Sequence, residues 1–217
     1  YYRMLNAGIK LPASTGSDWY ICSANRVYAQ TNTKGSSNFE YQSWIDSLKS
    51  GRSFITNGPA IFLLANGKSP GDEIQVEPGS VITTEMEWKS HYPVQVVELV
   101  RNGKVFARKT YSEVSREGTL AATVESPSDG WIAARLFSSL RDSYLQPQFA
   151  HTSPIYVKTG KQSPEHMEAC RLFVDRIDAS IEWVRQKGRF YTNGQRSEVE
   201  SLFREGQEVY RKWAEEL

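Results

Sequence analysis

The sequence predicts an α+β chain in three zones: the tail of an α/β domain over 1–58, an immunoglobulin-like antiparallel β-sandwich over 59–158, and an antiparallel helical hairpin over 159–217. Three observations carry this reading. The apolar spacing is mixed at first, two-fold in the middle and three-to-four-fold at the end, as strands and then helices require. Two Asn-Gly dipeptides, Asn66-Gly67 and Asn102-Gly103, sit between apolar runs, where a type I′ hairpin turn needs two residues of positive φ. Charge is uneven: of the 26 Lys plus Arg and 25 Asp plus Glu, 21 lie in the last 59 positions. Hydrophobic residues at 39% and aromatics at 12% supply a core.

In the first zone, residues 1–7 read as the end of a helix with Gly8 as its stop. Leu11-Pro12-Ala13-Ser14-Thr15-Gly16 reads as an extended small-residue segment. Residues 39–50 form a second helix, with Trp44, Ile45 and Leu48 on its apolar face and Gly51 as its stop. These pieces do not close a core by themselves. Tyr1 and Tyr2 open the sequence without an initiator Met or a basic, apolar leader, so the chain reads as a fragment.

In the middle zone, Ile82, Thr84, Met86 and Trp88 alternate on one strand face, and Leu120, Ala122 and Val124 on another. The Asn102-Gly103 turn joins 94–100 with 104–109. With 60–65, 131–138 and 153–158, about seven short strands are expected, the number of an immunoglobulin-like sandwich. In the last zone, Ser163-Pro164-Glu165 gives an N-cap, a proline at the first helical position and an early acid. Cys170, Phe173, Val174, Ile177, Ile181 and Val184 then follow at helical spacing up to Gly188. Ser197-Glu198-Val199-Glu200 fits a capping box for a second helix with Val199, Leu202, Phe203, Tyr210 and Trp213 as its stripe. The two stripes are expected to form a mutual core.

A formal net charge of +1 argues against a dedicated nucleic-acid partner, which calls for a basic excess. No apolar run approaches the roughly 20 residues of a membrane-spanning helix, so no membrane partner is expected. Cys22 and Cys170 stand apart and outside any C-x-x-C pair, and both are expected to be free thiols. No Gly-x-Ser-x-Gly, Walker or dinucleotide glycine pattern occurs. Asp72, Glu73, Glu85 and Glu87 could pair as glycosidase carboxylates, but Glu85 and Glu87 share one strand face and fit a solvated face better. Trp88, Tyr92, Tyr111, Trp131 and Tyr144 could form a sugar platform, although strand-core and loop packing is the commoner use of such residues.

The candidate for chemistry is Asp18, in Ser14-Thr15-Gly16-Ser17-Asp18-Trp19, a carboxylate placed just after a small-residue strand, where α/β barrels mount active-site groups. On local pattern alone an Asp after Gly-Ser more often serves a turn or a helix cap.

A resemblance adds to this. Tyr2-Arg3-Met4-Leu5-Asn6-Ala7-Gly8, Leu11-Pro12-Ala13-Ser14-Thr15-Gly16-Ser17-Asp18, and the run from Trp44 to Pro59 that holds Gly51-Arg52-Ser53-Phe54-Ile55-Thr56-Asn57-Gly58-Pro59 resemble the C-terminal third of CehA/McbA-type metallohydrolases of the PHP-like (polymerase and histidinol phosphatase) superfamily. Asn66-Gly67-Lys68, Pro70-Gly71-Asp72, Gly130-Trp131-Ile132-Ala133-Ala134-Arg135 and 151–157 continue it, over about 1–158. The resemblance implies a divalent-metal hydrolase (Zn, Mn or Fe) with a distorted α/β barrel followed by a sandwich. It also implies that Asp18 is a metal-ligating carboxylate and that metal-bound hydroxide cleaves an ester, phosphoester or carbamate of a small-molecule substrate. Superfamily members often carry a His two residues after this Asp, where Tyr20 stands here.

The His-x-His and further ligands of such a site are absent, because the chain has only His91, His151 and His166. His91 is expected in a loop between strands and His166 in the first turn of the tail helix, both at the surface, with His151 hydrogen-bonded locally in the loop before the last strand. The 217 residues alone are therefore expected to be inactive, their partner being the missing N-terminal part of the barrel. Exposure of the first zone would permit an oligomer. The alternative is a non-catalytic glycan- or protein-binding sandwich module.

Overall fold

A computed structural model describes residues 1–16, 23–31 and 39–215, with side chains for all of these except 113 and 114. In chain order the elements are α1 (Tyr2–Asn6), β1 (Arg26–Ala29), α2 (Tyr41–Lys49), β2 (Ser53–Thr56), β3 (Ala60–Ala65), β4 (Glu73–Gln75), β5 (Ser80–Arg101), β6 (Lys104–Ser126), β7 (Gly130–Arg141), β8 (Pro147–Thr152), β9 (Ile155–Lys158), α3 (Pro164–Lys187) and α4 (Asn193–Glu215). The architecture is α+β, one large sheet and two C-terminal helices, in two compact units: Lys10–Lys161, and Tyr1–Ile9 with Gln162–Leu217.

The β unit is organised by one long hairpin. β5 and β6, 22 and 23 residues long, are joined by Asn102-Gly103, with φ of 50° and 88° as a type I′ turn demands. Asn66-Gly67 closes a second tight turn, with Ala65 and Lys68 exchanging backbone hydrogen bonds at 3.0 and 2.9 Å. The early half of β5 lies between β3 and the late half of β6, while its late half lies between the early half of β6 and β7. From β7 the sheet continues antiparallel through β8 and β2 to β1, and β9 pairs with the start of β7. β3 packs against β7 and β8 with no ladder between them. The sheet thus folds over into two layers, as in a β-sandwich.

Two short strands were expected where β5 runs as one. The register of its pairing with β6 shifts between Lys89 and Val94 and again before Val96. Across this bulge the core-facing positions change from Ile82, Met86 and Trp88 to Val97 and Leu99, from even to odd. Pro93 sits inside the irregular stretch, where its missing N–H costs no ladder bond. His91 belongs to this bend and not to a separate loop; it is exposed as expected. The bend lets one strand serve both layers, and Trp88, Met86, Ile82, Leu99, Ile132, Leu136 and Ile155 meet fully buried between them. Each such side chain contributes on the order of 1.5–3 kcal/mol by leaving water. Gly118, opposite Trp88 in the ladder, leaves the indole its room, since a Cβ there would stand 3.2 Å from Trp88 Nε1.

Of the first zone, α1 and α2 form where expected, and Gly8 and Gly51 stop them with φ of 88° and 79°. β1 and β2 pair antiparallel with each other, and β2 with β8. They extend the large sheet, and among the described residues no parallel barrel strand is found in this zone.

In the helical unit, Ser163 caps α3, its Oγ accepting the His166 N–H at 3.2 Å. α4 begins a turn earlier than expected. The cap is Thr192, whose Oγ1 accepts the Gln195 N–H at 3.2 Å while Gln195 Oε1 accepts the Tyr191 N–H at 3.1 Å. This Thr-x-x-Gln cap, whose Gln195 reaches back to the residue before the N-cap, takes the place of the expected Ser197 box, and Ser197 Oγ instead donates to the Asn193 carbonyl at 3.1 Å. Phe173 stacks on Tyr210 at 4.8 Å, and Tyr210 meets Trp213 edge-on at 5.6 Å, over Ala7, Ala169 and Cys170. Leu202 is 70% exposed and leaves the expected stripe, because one residue before Phe203 is a step of about 100° around the helix. The buried Gln207 takes an inward place instead, donating to the Val174 carbonyl at 3.1 Å.

Candidate functional site

Asp18, Tyr20 and Cys22 lie outside the described residues. What the structure describes is the approach to Asp18. The Ala13 N–H donates to Ser153 Oγ at 2.9 Å, and Ser153 Oγ shares a 2.8 Å hydrogen bond with Ser53 Oγ, all three residues being buried. Lys10 pairs with Glu73 at 2.8 Å. The extended segment that ends at Gly16 is therefore pinned to β2 and to the residue after β8.

The string 51–59 makes a corner. Gly51 and Gly71 approach back to back: a Cβ on Gly51 would stand 3.3 Å from Gly71 Cα, and one on Gly71 would collide with the Ser50 carbonyl oxygen. Thr56 Oγ1 donates to the Phe149 carbonyl at 3.0 Å and accepts the Gly58 N–H at 2.9 Å. Asn57 Nδ2 donates to the Pro147 carbonyl at 2.9 Å and to Asp142 Oδ2 at 3.2 Å, and Asn57 Oδ1 accepts the Phe149 N–H at 2.8 Å. Every polar atom of these two side chains holds β2 to β8 and the turn before it. These motif residues maintain backbone geometry.

The histidines do not converge. His151 lies within β8 and not in a loop. It pairs with Ile55 on one side and Arg135 on the other, and Arg135 pairs in turn with Glu98, which also faces Arg108. Arg135 Nε reaches Glu98 Oε2 at 2.6 Å, and Arg108 lies 3.3 Å from Oε1, so the buried carboxylate has the partners that burial demands. Burial, with a smaller contribution from the Arg135 charge, lowers the His151 pKa to about 4, against a 2.6 Å hydrogen bond between Nδ1 and the Thr152 carbonyl that raises it. The imidazole is neutral at pH 7, and that bond assigns its proton to Nδ1. His166 is half-buried and held on both sides of its ring: Nδ1 lies 3.1 Å from the Asn6 carbonyl and Nε2 3.0 Å from the Trp213 carbonyl, joining α1, α3 and α4. Cys170 Sγ lies 3.7 Å from the same Nε2, and burial pushes its thiol pKa up; it is a free thiol. Among the described residues no group of three or more His, Cys, Asp or Glu is placed to hold a metal. The described side chains therefore do not fit a metal centre by themselves.

A cleft of about 730 Å³ runs along β3 in the β unit. Every residue from Ala60 to Leu64 lines it, faced by Tyr28 and Ala29 of β1, by Gln30 just after that strand and by Arg52 to Phe54. Tyr28 stacks on Phe54 at 5.1 Å and 14°, and Phe54 meets Phe62 edge-on at 5.8 Å. Tyr28, Phe62 and Leu64 are 47%, 53% and 45% exposed. The aromatics considered from the sequence form no such surface: Trp88 and Trp131 are buried and Tyr111 packs edge-on against Trp88 at 5.5 Å. Tyr92 and Tyr144 are exposed.

A scan against protein-family models finds no match, and neither does a comparison with curated proteins. Among solved structures, the chain is similar to a CARDB domain from Pyrococcus furiosus, at 15% identity and a TM-score of 0.32, over 47% of this chain and 97% of that one. It is also similar to a lytic polysaccharide monooxygenase from Jonesia denitrificans, at 13% identity and a TM-score of 0.26, over 71% of this chain and 92% of that one.

The signal for the cleft was present in the sequence as Ala60-Ile61-Phe62-Leu63-Leu64-Ala65, six apolar residues without a charge. Glu85 and Glu87 are exposed as expected and border Leu64 and Phe62 in the ladder. The chemistry available here is apolar contact, backbone hydrogen bonding and ionic attraction.

Proposed function

We propose that this chain is the C-terminal part of a divalent-metal hydrolase of the CehA/McbA type, acting on an ester, phosphoester or carbamate, with an immunoglobulin-like sandwich as its accessory domain. The observation that supports the reading is the pinned approach to Asp18. Ala13, Ser53 and Ser153 fix the segment through buried hydrogen bonds, so the described chain reaches Gly16, two residues before Asp18, from a rigid base, as a metal-ligating carboxylate requires. The remaining ligands belong to a preceding part of the barrel, and the 217-residue chain alone has no turnover. Metal analysis and ester hydrolysis on the full-length protein test this. Asp18→Ala is expected to lower bound metal and hydrolysis together, by roughly the 10–100-fold that follows loss of a metal-site partner. Unchanged metal content and unchanged hydrolysis in the variant sink the assignment.

A second reading, a non-catalytic binding module, draws on the open Tyr28–Phe54 stack beside Phe62 in the cleft. Exposed aromatic faces serve glycans and proteins alike.

A further inference from the structure

From the tip of the helical hairpin we infer a peripheral contact with an anionic membrane surface, in which Tyr191, Trp183 and Leu202 enter the headgroup region and Lys187 and Arg189 meet the lipid charges. The inference concerns the helical unit and stands apart from both readings of the β unit. It needs no spanning helix, because amphipathic helices bind within the plane of the interface. The hairpin presents two unlike sides. Arg185 Nη2 meets Glu200 Oε2 at 2.9 Å, with Arg204 3.9 Å from the same oxygen, so charges close one side. That pair also sets the level at which the antiparallel helices lie side by side. Trp183 stands two residues before Arg185 and Leu202 two after Glu200, so they lie level with each other. A two-residue step turns about 200° around a helix, which carries both to the side away from the ion pair. They are 62% and 70% exposed.

At the end of the hairpin, Phe190 lies under Arg196, whose guanidinium stands 5.7 Å from the ring. Tyr191 is fully exposed, although its N–H is held by Gln195 at 3.1 Å. An anchored backbone thus carries an aromatic ring that faces only solvent. Between Glu182 and Glu198 the chain has Arg185, Lys187, Arg189 and Arg196 and no acid. Lys187 and Arg189 are exposed, and no ion pair among the described residues involves them. Cations beside Trp and Tyr are what an anionic bilayer surface attracts. Leu202 gives a nucleobase nothing to stack on, whereas the acyl boundary accepts it. The three apolar side chains expose on the order of 500 Å², short of the about 800 Å² that each partner gives a stable dimer.

The intact chain is floated with vesicles of phosphatidylcholine alone and of equal parts phosphatidylcholine and phosphatidylserine. The expected result is binding to the mixed vesicles that weakens as salt rises, with far less binding to the neutral ones. Brominated acyl chains should quench tryptophan fluorescence, and Trp183→Phe should keep the binding and lose most of the quenching. Lys187→Gln/Arg189→Gln should weaken partitioning about thirtyfold, and Tyr191→Ser should weaken it several-fold. All these positions are exposed, so circular dichroism should not change. Absence of binding to the mixed vesicles overturns the inference, as does binding that Lys187→Gln/Arg189→Gln leaves intact or quenching that Trp183→Phe leaves undiminished. Preference for a DNA duplex over the vesicles at equal salt overturns it in favour of nucleic acid. Dimerisation that Trp183→Ser abolishes overturns it too, making a second copy the occupant.

Discussion

The two units of this protein keep their shape by different means. In Lys10–Lys161 the fold depends on partners far apart in sequence: β2 pairs with β8, and Ser53 with Ser153. One buried cluster joins residues of β3, β5, β7, β8 and β9. In the helical unit the helices are written locally, and a few contacts hold them together: the Phe173–Tyr210–Trp213 aromatics, Gln207 on the Val174 carbonyl, and His166 between two carbonyls. The difference teaches where each unit is fragile. A cooperative core fails when one large side chain is lost, whereas a helix pair fails when a specific clamp is removed.

The sharpest way to press that contrast is Trp88→Ala. Emptying a fully buried indole site at the centre of the two layers is expected to cost about 3–5 kcal/mol. Urea unfolding followed by far-ultraviolet circular dichroism should show β structure melting at far lower denaturant while helical signal persists. Simultaneous loss of both signals would mean that the units do not differ in this way.

Next comes acid. His151 has a pKa of about 4 in the folded chain against 6.5 ordinarily. Below pH 6.5 the unfolded state takes up a proton that the folded state refuses until about pH 4. Its contribution is therefore complete above pH 6.5, falls as the pH drops from 6.5 toward 4, and is constant below that. The expected loss is about 3 kcal/mol over that interval. His151→Asn should flatten this slope in urea midpoints measured from pH 7 to 4. A slope unchanged in the variant would remove His151 as the cause.

The smallest of the three effects belongs to the helical unit. His166→Phe leaves the Asn6 and Trp213 carbonyls without the imidazole and is expected to cost about 1–3 kcal/mol. Hydrogen exchange should show lost protection in α1 and at the end of α4, with β5 and β7 amides unaffected. Loss of protection across the sheet would erase the distinction between the units.

Much of this is legible in the sequence alone. Asn66-Gly67 and Asn102-Gly103 identified their turns because positive φ at two successive residues is a backbone demand that few sequences meet. The Ser163 cap and the alternation from Ile82 to Trp88 were likewise local. Asp18 was singled out by its place after a small-residue segment, and it lies beyond the described residues. Two equal local signals compete at the start of α4: Thr192-Asn193-Gly194-Gln195 and Ser197-Glu198-Val199-Glu200 both carry the capping-box pattern, and the earlier one caps the helix. The bend of β5 could not be read, because a bulge moves side chains to the other face without leaving a breaker other than Pro93. Nor could the fate of His166, whose two carbonyl partners are distant in sequence.

The sequence by itself determined the periods, the turns, the cap of α3 and the apolar run that becomes β3, since each depends on residues within one turn or one hairpin. Only the tertiary structure decided that β1 and β2 extend the large sheet, that Ser153 holds the approach to Asp18, and that the edge of β3 faces a cleft. These are pairings between residues up to 140 positions apart. Their free energy comes from burial and hydrogen bonds that exist only once the chain has closed on itself, so no local pattern encodes which partner is chosen.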